Sequence, residues 1–282
     1  MKIGIGIPNT VLGATGPQLV EWAKRAEARG FSTLATIDRV AYPTYDSFVS
    51  LAAAAGATER IGLMTNVLLG PVYQAAPLAK LTASLAQVSN GRFRLGIGVG
   101  TRTDDYRLTG TTFEDRGKRL DDLLEYLTRA WRGELEPPVG PTAPGGTIPI
   151  AVGGQPRFAA RRAVAYDAPW TIGGGGADMA AKGAEAFREA WREAGGTGEP
   201  RIIALSYFSL GDDVAEESRQ NLRSYYGYLE EWADAIAEHQ PRDPDALRET
   251  VSAFEAIGVE ELIFDPTTSD PAQVDALADI VL

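Results

Sequence analysis

Short apolar runs alternate with amphipathic stretches along the whole chain, and each change of period marks an expected element. Residues 1–8 read as a first strand. Thr15-Gly16-Pro17-Gln18 then has the spacing of a capping box before a helix that gathers Leu19, Trp22, Ala23 and Ala26 on one face and stops at Gly30. Further strands are predicted at 31–37, 61–69, 93–99, 148–152, 168–172, 202–210 and 261–264. Helical spacing lies between them: Phe48, Leu51 and Ala55; Leu78, Leu81, Leu85 and Val88 behind Pro77; Leu120, Leu123, Leu124, Leu127 and Trp131; and a helix over 177–194. One long helix is expected through Leu222, Tyr225, Tyr226, Leu229, Trp232 and Ile236, its aromatic face read as core, with a dimer contact as the alternative. Asp243-Pro244 opens another helix that ends at Gly258, and Asp270-Pro271 opens the last. The proline- and glycine-rich stretch 136–147 is the longest connection and is read as a mobile flap.

Eight strand–helix units with apolar strands predict one α/β domain over residues 1–282, a (β/α)8 TIM barrel rather than an open doubly wound sheet. The length of 282 residues suits a single barrel. A net charge of −11 argues against nucleic acid and anionic membranes as partners. No apolar run approaches the ~20 residues of a membrane span, and the start lacks a signal-peptide pattern, so a cytoplasmic protein is expected. The absence of cysteine removes thiolate ligands, disulfides and a thiol nucleophile. The single histidine, His239, reads as a solvated helix end, which leaves no Ser–His–Asp triad and no histidine metal cluster; no metal site is expected.

In a parallel barrel the chemistry collects at the C-terminal strand ends. That rule selects Pro8 and Asn9, 38–42, 66–70, 100–106, 153–157, 173–176 and 265–268. Gly153-Gly154-Gln155-Pro156-Arg157 is the clearest candidate anion site, because glycines allow close approach and a helix starting near Pro156 turns free N–H groups outward. A plain glycine turn is the alternative reading, and the 173–176 run carries the same two readings. Gly96-Ile97-Gly98-Val99-Gly100 fails the dinucleotide fingerprint in spacing, and its glycines are read as admitting a flat ligand or bulky neighbours. A glycosidase using Asp38, Asp104 and Asp265 is the alternative without a redox cofactor.

The run "IGLMTNVLLGPVYQAAPLAKLTASLAQVSNGRFRLGIGVG" (61–100) resembles the central segment of the bacterial-luciferase-like oxidoreductases, the luciferase-like monooxygenase superfamily. The similarity continues through "DDYRLTGTTFEDRGKRLDDLLEYL" (104–127), "IPIAVGGQPRFAARRA" (148–163) and "SYFSLGDDVAEE" (206–217), nearly the whole chain. The resemblance implies a barrel that is usually a homodimer and uses coenzyme F420 or FMN. The compact chain resembles the F420-dependent branch, which transfers a hydride to or from a small-molecule substrate.

By the same resemblance Asp38 matches an acidic contact to the cofactor head group. Asn66 and Val67 match the pair joined by a cis peptide behind the ring, and Asp104 matches a polar cofactor contact. Gly153, Gly154, Pro156 and Arg157 match the segment holding the phosphate-bearing tail. Two positions depart from the sugar-phosphate dehydrogenases of the family: Arg39 stands where they have a histidine, and Thr101 where they have a glutamate. Asp38, Arg39 and Tyr106 form the candidate catalytic set, with Tyr42 a further candidate proton donor. Arg39 and Arg102 are candidates to clamp an anionic substrate, with ordinary surface charge as the alternative. The usual Asp-Gly-Trp stretch is altered to Asp167-Ala168-Pro169-Trp170. Two other activities stand beside F420-dependent hydride transfer: an FMN monooxygenase fed by a separate reductase, and a non-catalytic cofactor-binding protein.

Overall fold

In the computed structural model, which describes residues 1–229, 231–238 and 240–282, eight parallel strands close into a barrel with helices packed around it. His239 lies outside the described residues, as does the side chain of Trp232. The strands are β1 (Lys2–Gly6), β2 (Thr33–Thr36), β3 (Gly62–Thr65), β4 (Leu68–Leu69), β5 (Phe93–Gly98), β6 (Ile150–Gly153), β7 (Trp170–Gly173), β8 (Ile202–Phe208) and β9 (Glu261–Pro266). β3 and β4 are two halves of one barrel strand: β3 pairs with β2 and β5, and β4 pairs with β5. The sheet is closed on the other side by β1, which pairs with both β2 and β9.

Alternation along these strands sets two cores. Ala35, Met64, Ala151, Ile203 and Ile263 point inward and fill the barrel as one layer. Outward residues such as Leu34, Leu63, Leu95 and Phe264 meet the helices and join the large outer core. Burying each such side chain contributes about 1.5–3 kcal/mol. The interior is narrow on the β5 side because Gly96 leaves room there: a Cβ on it would stand 1.9 Å from the Thr65 carbonyl oxygen. Of the two readings of the Gly96–Gly100 run, bulky neighbours hold at this position, and the neighbour is the third strand itself.

The outer helices are α1 (Gly16–Arg29), α2 (Ser47–Ala57), α3 (Ala75–Val88), α5 (Arg116–Trp131), α6 (Pro156–Ala165), α7 (Gly176–Glu193), α10 (Pro244–Ile257) and α11 (Ala272–Val281). The expected start and stop of α1 are present: Gln18 Oε1 accepts from the Thr15 N–H at 2.9 Å, and Gly30 adopts φ 90°. Three further helices, α4 (Thr103–Thr109), α8 (Ala215–Tyr226) and α9 (Glu231–Glu238), lie at the C-terminal strand ends. Among the described residues no helix is long and apolar enough to cross a membrane.

The structure corrects three expectations. Residues 103–109, read as loop, form α4, whose first turn carries Asp104 and Asp105 where the helix dipole favours acid groups. The single long helix is broken into α8 and α9 by a turn at Gly227–Leu229, because glycine costs about 1 kcal/mol in a helix interior. α8 and α9 also leave the outer ring, whose place is taken by α10 between α7 and α11. Finally, 136–147 follows a helix and precedes a strand, so it sits at the N-terminal end of the barrel. It is fastened there by Ala143 N–H to the Trp131 carbonyl (3.1 Å) and Gln87 Nε2 to the Thr142 carbonyl (2.8 Å). A flap over the active end it is not.

Candidate functional site

A cavity of about 250 Å³ opens at the C-terminal ends of the strands, where parallel barrels place their chemistry. One wall is the break between β3 and β4. The Asn66–Val67 peptide is cis, and Asn66, Val67 and Leu69 line the cavity. Close packing fixes this wall: a Cβ on Gly98 or on Gly153 would come within 3.0 Å of a Val67 methyl. Gly153, Gly154, Thr171 and Gly173, from the ends of β6 and β7, form the adjoining wall.

Thr171 Oγ1 donates to Asn66 Oδ1 at 2.6 Å. The amide nitrogen, Asn66 Nδ2, is buried and has no hydrogen-bond partner. A buried donor left unpaired costs on the order of 1–3 kcal/mol, so its presence in a cavity wall points to a ligand oxygen.

Asp38 lines the opposite side and is 6% exposed. Its Oδ2 accepts from the Leu69 N–H at 3.0 Å and its Oδ1 from Ser47 Oγ at 3.1 Å, which ties the end of β2 to the broken strand. Tyr73 Oη approaches both oxygens at 3.4 and 3.5 Å. Burial pushes Asp38 up to about 6, with the bonds from Leu69 and Ser47 working against that rise. The next residue, Arg39, has its Nη2 2.7 Å from Asp104 Oδ2 and its Nε 3.9 Å from the fully buried Asp105. Asp105 Oδ1 in turn accepts from the backbone N–H of Val40 (2.8 Å) and Ala41 (2.6 Å), which pins the 38–41 turn over α4.

A roof comes from the segment after β8. Tyr225, Tyr226 and Tyr228 line the cavity together with Tyr207 and Leu205 of β8. Arg102 threads this aromatic group, its guanidinium 4.0 Å from the centroid of Tyr228 and 4.6 Å from that of Tyr225. Its Nη2 also donates to the Tyr225 carbonyl. Thr101 Oγ1 meets Tyr228 Oη at 3.0 Å.

The structure therefore brings Asp38, Arg39, Asn66, Val67, Thr101, Gly153 and Gly154 to one cavity and leaves others outside its lining. Tyr106, 1% exposed, packs with Leu69, Val72 and Phe113, and its hydroxyl donates to the Val99 carbonyl. As a proton donor it faces the wrong way. Tyr42 packs edge-on to Tyr225 and donates to Ser224. Asp104 is bound to Arg39 rather than to the cavity. Pro156 and Arg157 start α6 beyond the rim, and Arg157 lies over the Phe158 ring. Arg39 and Arg102 are both engaged by protein groups, so neither is a free anion clamp. Of the three carboxylates weighed for a glycosidase, only Asp38 lines the cavity.

Sequence reasoning missed Tyr207, Tyr225, Tyr226, Tyr228 and Thr171. A signal for Tyr207 was present: it continues the inward alternation Ile203, Leu205, Tyr207 to the C-terminal end of its strand. Tyr225 and Tyr226 carry helical spacing, which reads the same whether the helix flanks a barrel or crosses its mouth, and Tyr228 falls outside that pattern.

The model of the luciferase-like monooxygenase family matches residues 1–274. An uncharacterized protein of Mycobacterium tuberculosis is 31% identical over 225 residues, which cover 67% of this chain and 77% of that one. An F420-dependent glucose-6-phosphate dehydrogenase of Amycolatopsis mediterranei is 28% identical over 130 residues, 42% of this chain and 39% of that one. Among solved structures, an F420-dependent secondary alcohol dehydrogenase in complex with an F420–acetone adduct matches 99% of this chain and 98% of its own, at a TM-score of 0.79 and 18% identity. The oxygenating constituent of 3,6-diketocamphane monooxygenase from Pseudomonas putida, in complex with FMN, matches 99% and 96% at a TM-score of 0.76 and 19% identity. At such identities the structural likeness speaks for the fold alone.

Proposed function

The chain belongs to the luciferase-like monooxygenase family, and from that premise we propose that it is an oxidoreductase transferring a hydride between coenzyme F420 and a small organic substrate. The observation that carries this reading is the unpaired Asn66 Nδ2 in the cavity wall, beside the cis peptide to Val67. A flat ring with carbonyl oxygens at its edge fits that donor and the glycine-backed wall of Val67, Gly98 and Gly153. A cavity of about 250 Å³ has room for the ring and not for a long phosphate-bearing tail. The tail would then run over Gly153 and Gly154 to the N-terminus of α6, where Pro156 and Arg157 stand and the helix dipole favours a negative group.

When bound, the deazaflavin supplies the two-electron chemistry as a hydride at its C5. The chain's own residues bind, orient and keep the site dry. Asn66 fixes the ring edge, and Asp38 holds Leu69 and contacts the head group. The roof of Tyr225, Tyr226 and Tyr228 excludes water, which strengthens every polar contact beneath it. Relatives of named activity support the deazaflavin: the Amycolatopsis enzyme is F420-dependent. The FMN-bound neighbour with the same fold favours a second reading, a monooxygenase fed by a separate reductase.

The two readings separate in one pair of assays. Under nitrogen, the protein with oxidised F420 and a panel of secondary alcohols is expected to bleach the cofactor's visible absorbance. With reduced FMN in air, no oxygen uptake above the free-cofactor rate is expected. Oxygen uptake with FMN and no bleaching of F420 would transfer the assignment to the monooxygenase.

A further inference from the structure

Four tyrosines line the cavity, and two of them share a hydrogen bond. Tyr207, at the inward end of β8, and Tyr226, the last residue of α8, hold their hydroxyls 2.6 Å apart with rings edge to face. Tyr226 Oη stands against the end of β7, where a Cβ on Gly174 would be 3.3 Å from it. Several of the other acid–base and cationic groups around the cavity are held by protein partners. Asp38 accepts from Leu69 and Ser47, Arg39 binds Asp104, and Arg102 binds the Tyr225 carbonyl. Asn66 has a free N–H, and an amide does not give up its proton at working pH.

Resting on the hydride-transfer reading above, we propose that Tyr226, supported by Tyr207, is the proton-transfer group of this cavity and that its substrate is a neutral carbonyl compound or the matching secondary alcohol. In the reducing direction the reduced deazaflavin, when bound, would supply the hydride that adds with its electron pair to the carbonyl carbon. The C=O π pair moves onto oxygen, and that oxygen takes the proton of Tyr226 as the Tyr226 O–H bond breaks. The substrate is reduced by two electrons and the deazaflavin is oxidised by two. The phenolate left on Tyr226 accepts the hydroxyl of Tyr207 and regains a proton from solvent at the cavity mouth. The oxidising direction reverses each transfer.

The surroundings suit that step. The charged and titratable groups facing the pair are Tyr225, Tyr228 and Arg102 from the roof and α4 side, and Asp265 on β9, the register partner of Tyr207. Burial pushes Tyr226 up to about 12, and the bond from Tyr207 acts against that rise. The alkoxide developing on the substrate is a far stronger base than a phenolate, so transfer from Tyr226 runs downhill. Burial holds Asp265 well above the usual carboxylate range, which disfavours its charged form beside the pair. A phosphate or carboxylate substrate, by contrast, would find both arginines already engaged.

Two measurements carry the test, one of them independent of the cofactor. [1-13C]Cyclohexanone is titrated into the protein without added cofactor and followed by 13C NMR. The bound carbonyl signal is expected downfield in the wild type and in Tyr207→Phe, and upfield by several ppm in Tyr226→Phe. Equal shifts in the wild type and Tyr226→Phe, or no binding to the wild type, would overturn the proposal. With F420 bound, Tyr226→Phe is expected to lose about 100-fold in kcat at unchanged F420 affinity. Tyr207→Phe should lose about tenfold in kcat with KM unchanged, because it weakens the acid without touching the substrate. Wild-type kcat in Tyr226→Phe would equally overturn it. If the wild type binds no F420, the cofactor reading fails and the NMR result still decides the tyrosine.

Discussion

Thr171 donates its hydroxyl to Asn66 Oδ1, and this one bond decides which way the Asn66 amide faces. With the oxygen held by β7, the nitrogen is left in the cavity wall with nothing to bind. Replacing Thr171 by Val frees the amide to turn. We expect cofactor affinity to fall about fivefold, equivalent to about 1 kcal/mol for one hydrogen bond. Asn66→Leu should weaken binding further, yet change the thermal midpoint of the cofactor-free protein little, since it removes one unpaired buried donor, Asn66 Nδ2, and leaves another, Thr171 Oγ1. Titration and calorimetry on the same samples check both halves; a lowered midpoint with unchanged affinity would make Asn66 a structural residue.

Asp38 gives the chain a pH signature. Its folded-state value lies near 6 and the unfolded value near 3.8, so the neutral form is the one the fold favours. A raised value means that its contribution to stability is present below about 3.8 and is lost as pH rises through about 6. The rise of about two units corresponds to about 3 kcal/mol for this buried group. Urea unfolding at pH 4, 5, 6 and 7 should show the wild type losing stability relative to Asp38→Asn across that window. Parallel curves for the two proteins would contradict the account.

Most of the barrel was legible because its signals are local. Glycine stops, the capping box at Thr15 and the apolar alternation of each strand need no knowledge of the rest of the chain. The family segment 61–100 likewise pointed to Asn66 and Val67, which do meet in the cavity. What was not legible depends on direction in space. Tyr106 and Tyr226 are both tyrosines in helices near strand ends, yet one hydroxyl turns to the Val99 carbonyl and the other meets Tyr207 Oη at the cavity wall. Arg39 and Arg102 looked available because their partners, Asp104 and the Tyr225 carbonyl, lie 65 and 123 residues away in sequence. The 136–147 stretch had the composition of a flap, and only its place between a helix and a strand shows which end of the barrel it occupies.

That placement has its own consequence. Replacing residues 138–141 with Gly-Ser-Gly-Ser should lower thermal stability, because half-buried Val139 packs on the core, and leave cofactor affinity and kcat within about twofold, as expected for positions away from the site. Arg102→Ala acts at the other end. It removes a guanidinium packed on Tyr225 and Tyr228, and each such contact is worth about 0.5–2 kcal/mol. Hydrogen exchange should quicken at 225–229, and bound cofactor should dissociate faster. Unchanged exchange there would mean that α8 is held across the mouth by its apolar face alone.

Gly96 tests the broken strand itself. A Cβ at that position would fall 1.9 Å from the Thr65 carbonyl, and backbone cannot yield as a side-chain tip can. Gly96→Ala should cost more than the 1–3 kcal/mol usual for overpacking and separate β3 from β5. Gly16→Ala, at an open position, is the matched control and should leave stability nearly unchanged. Equal unfolding midpoints for the two variants would contradict the close approach.

The central claim is that this cavity holds a deazaflavin ring. Its most direct measurement is a titration of the purified protein with F420 and, separately, with FMN, followed by intrinsic tryptophan fluorescence. The account predicts saturable micromolar binding of F420, weakened in Asn66→Leu, and no saturation with FMN over the same range. Tight FMN binding with no response to F420 would contradict it.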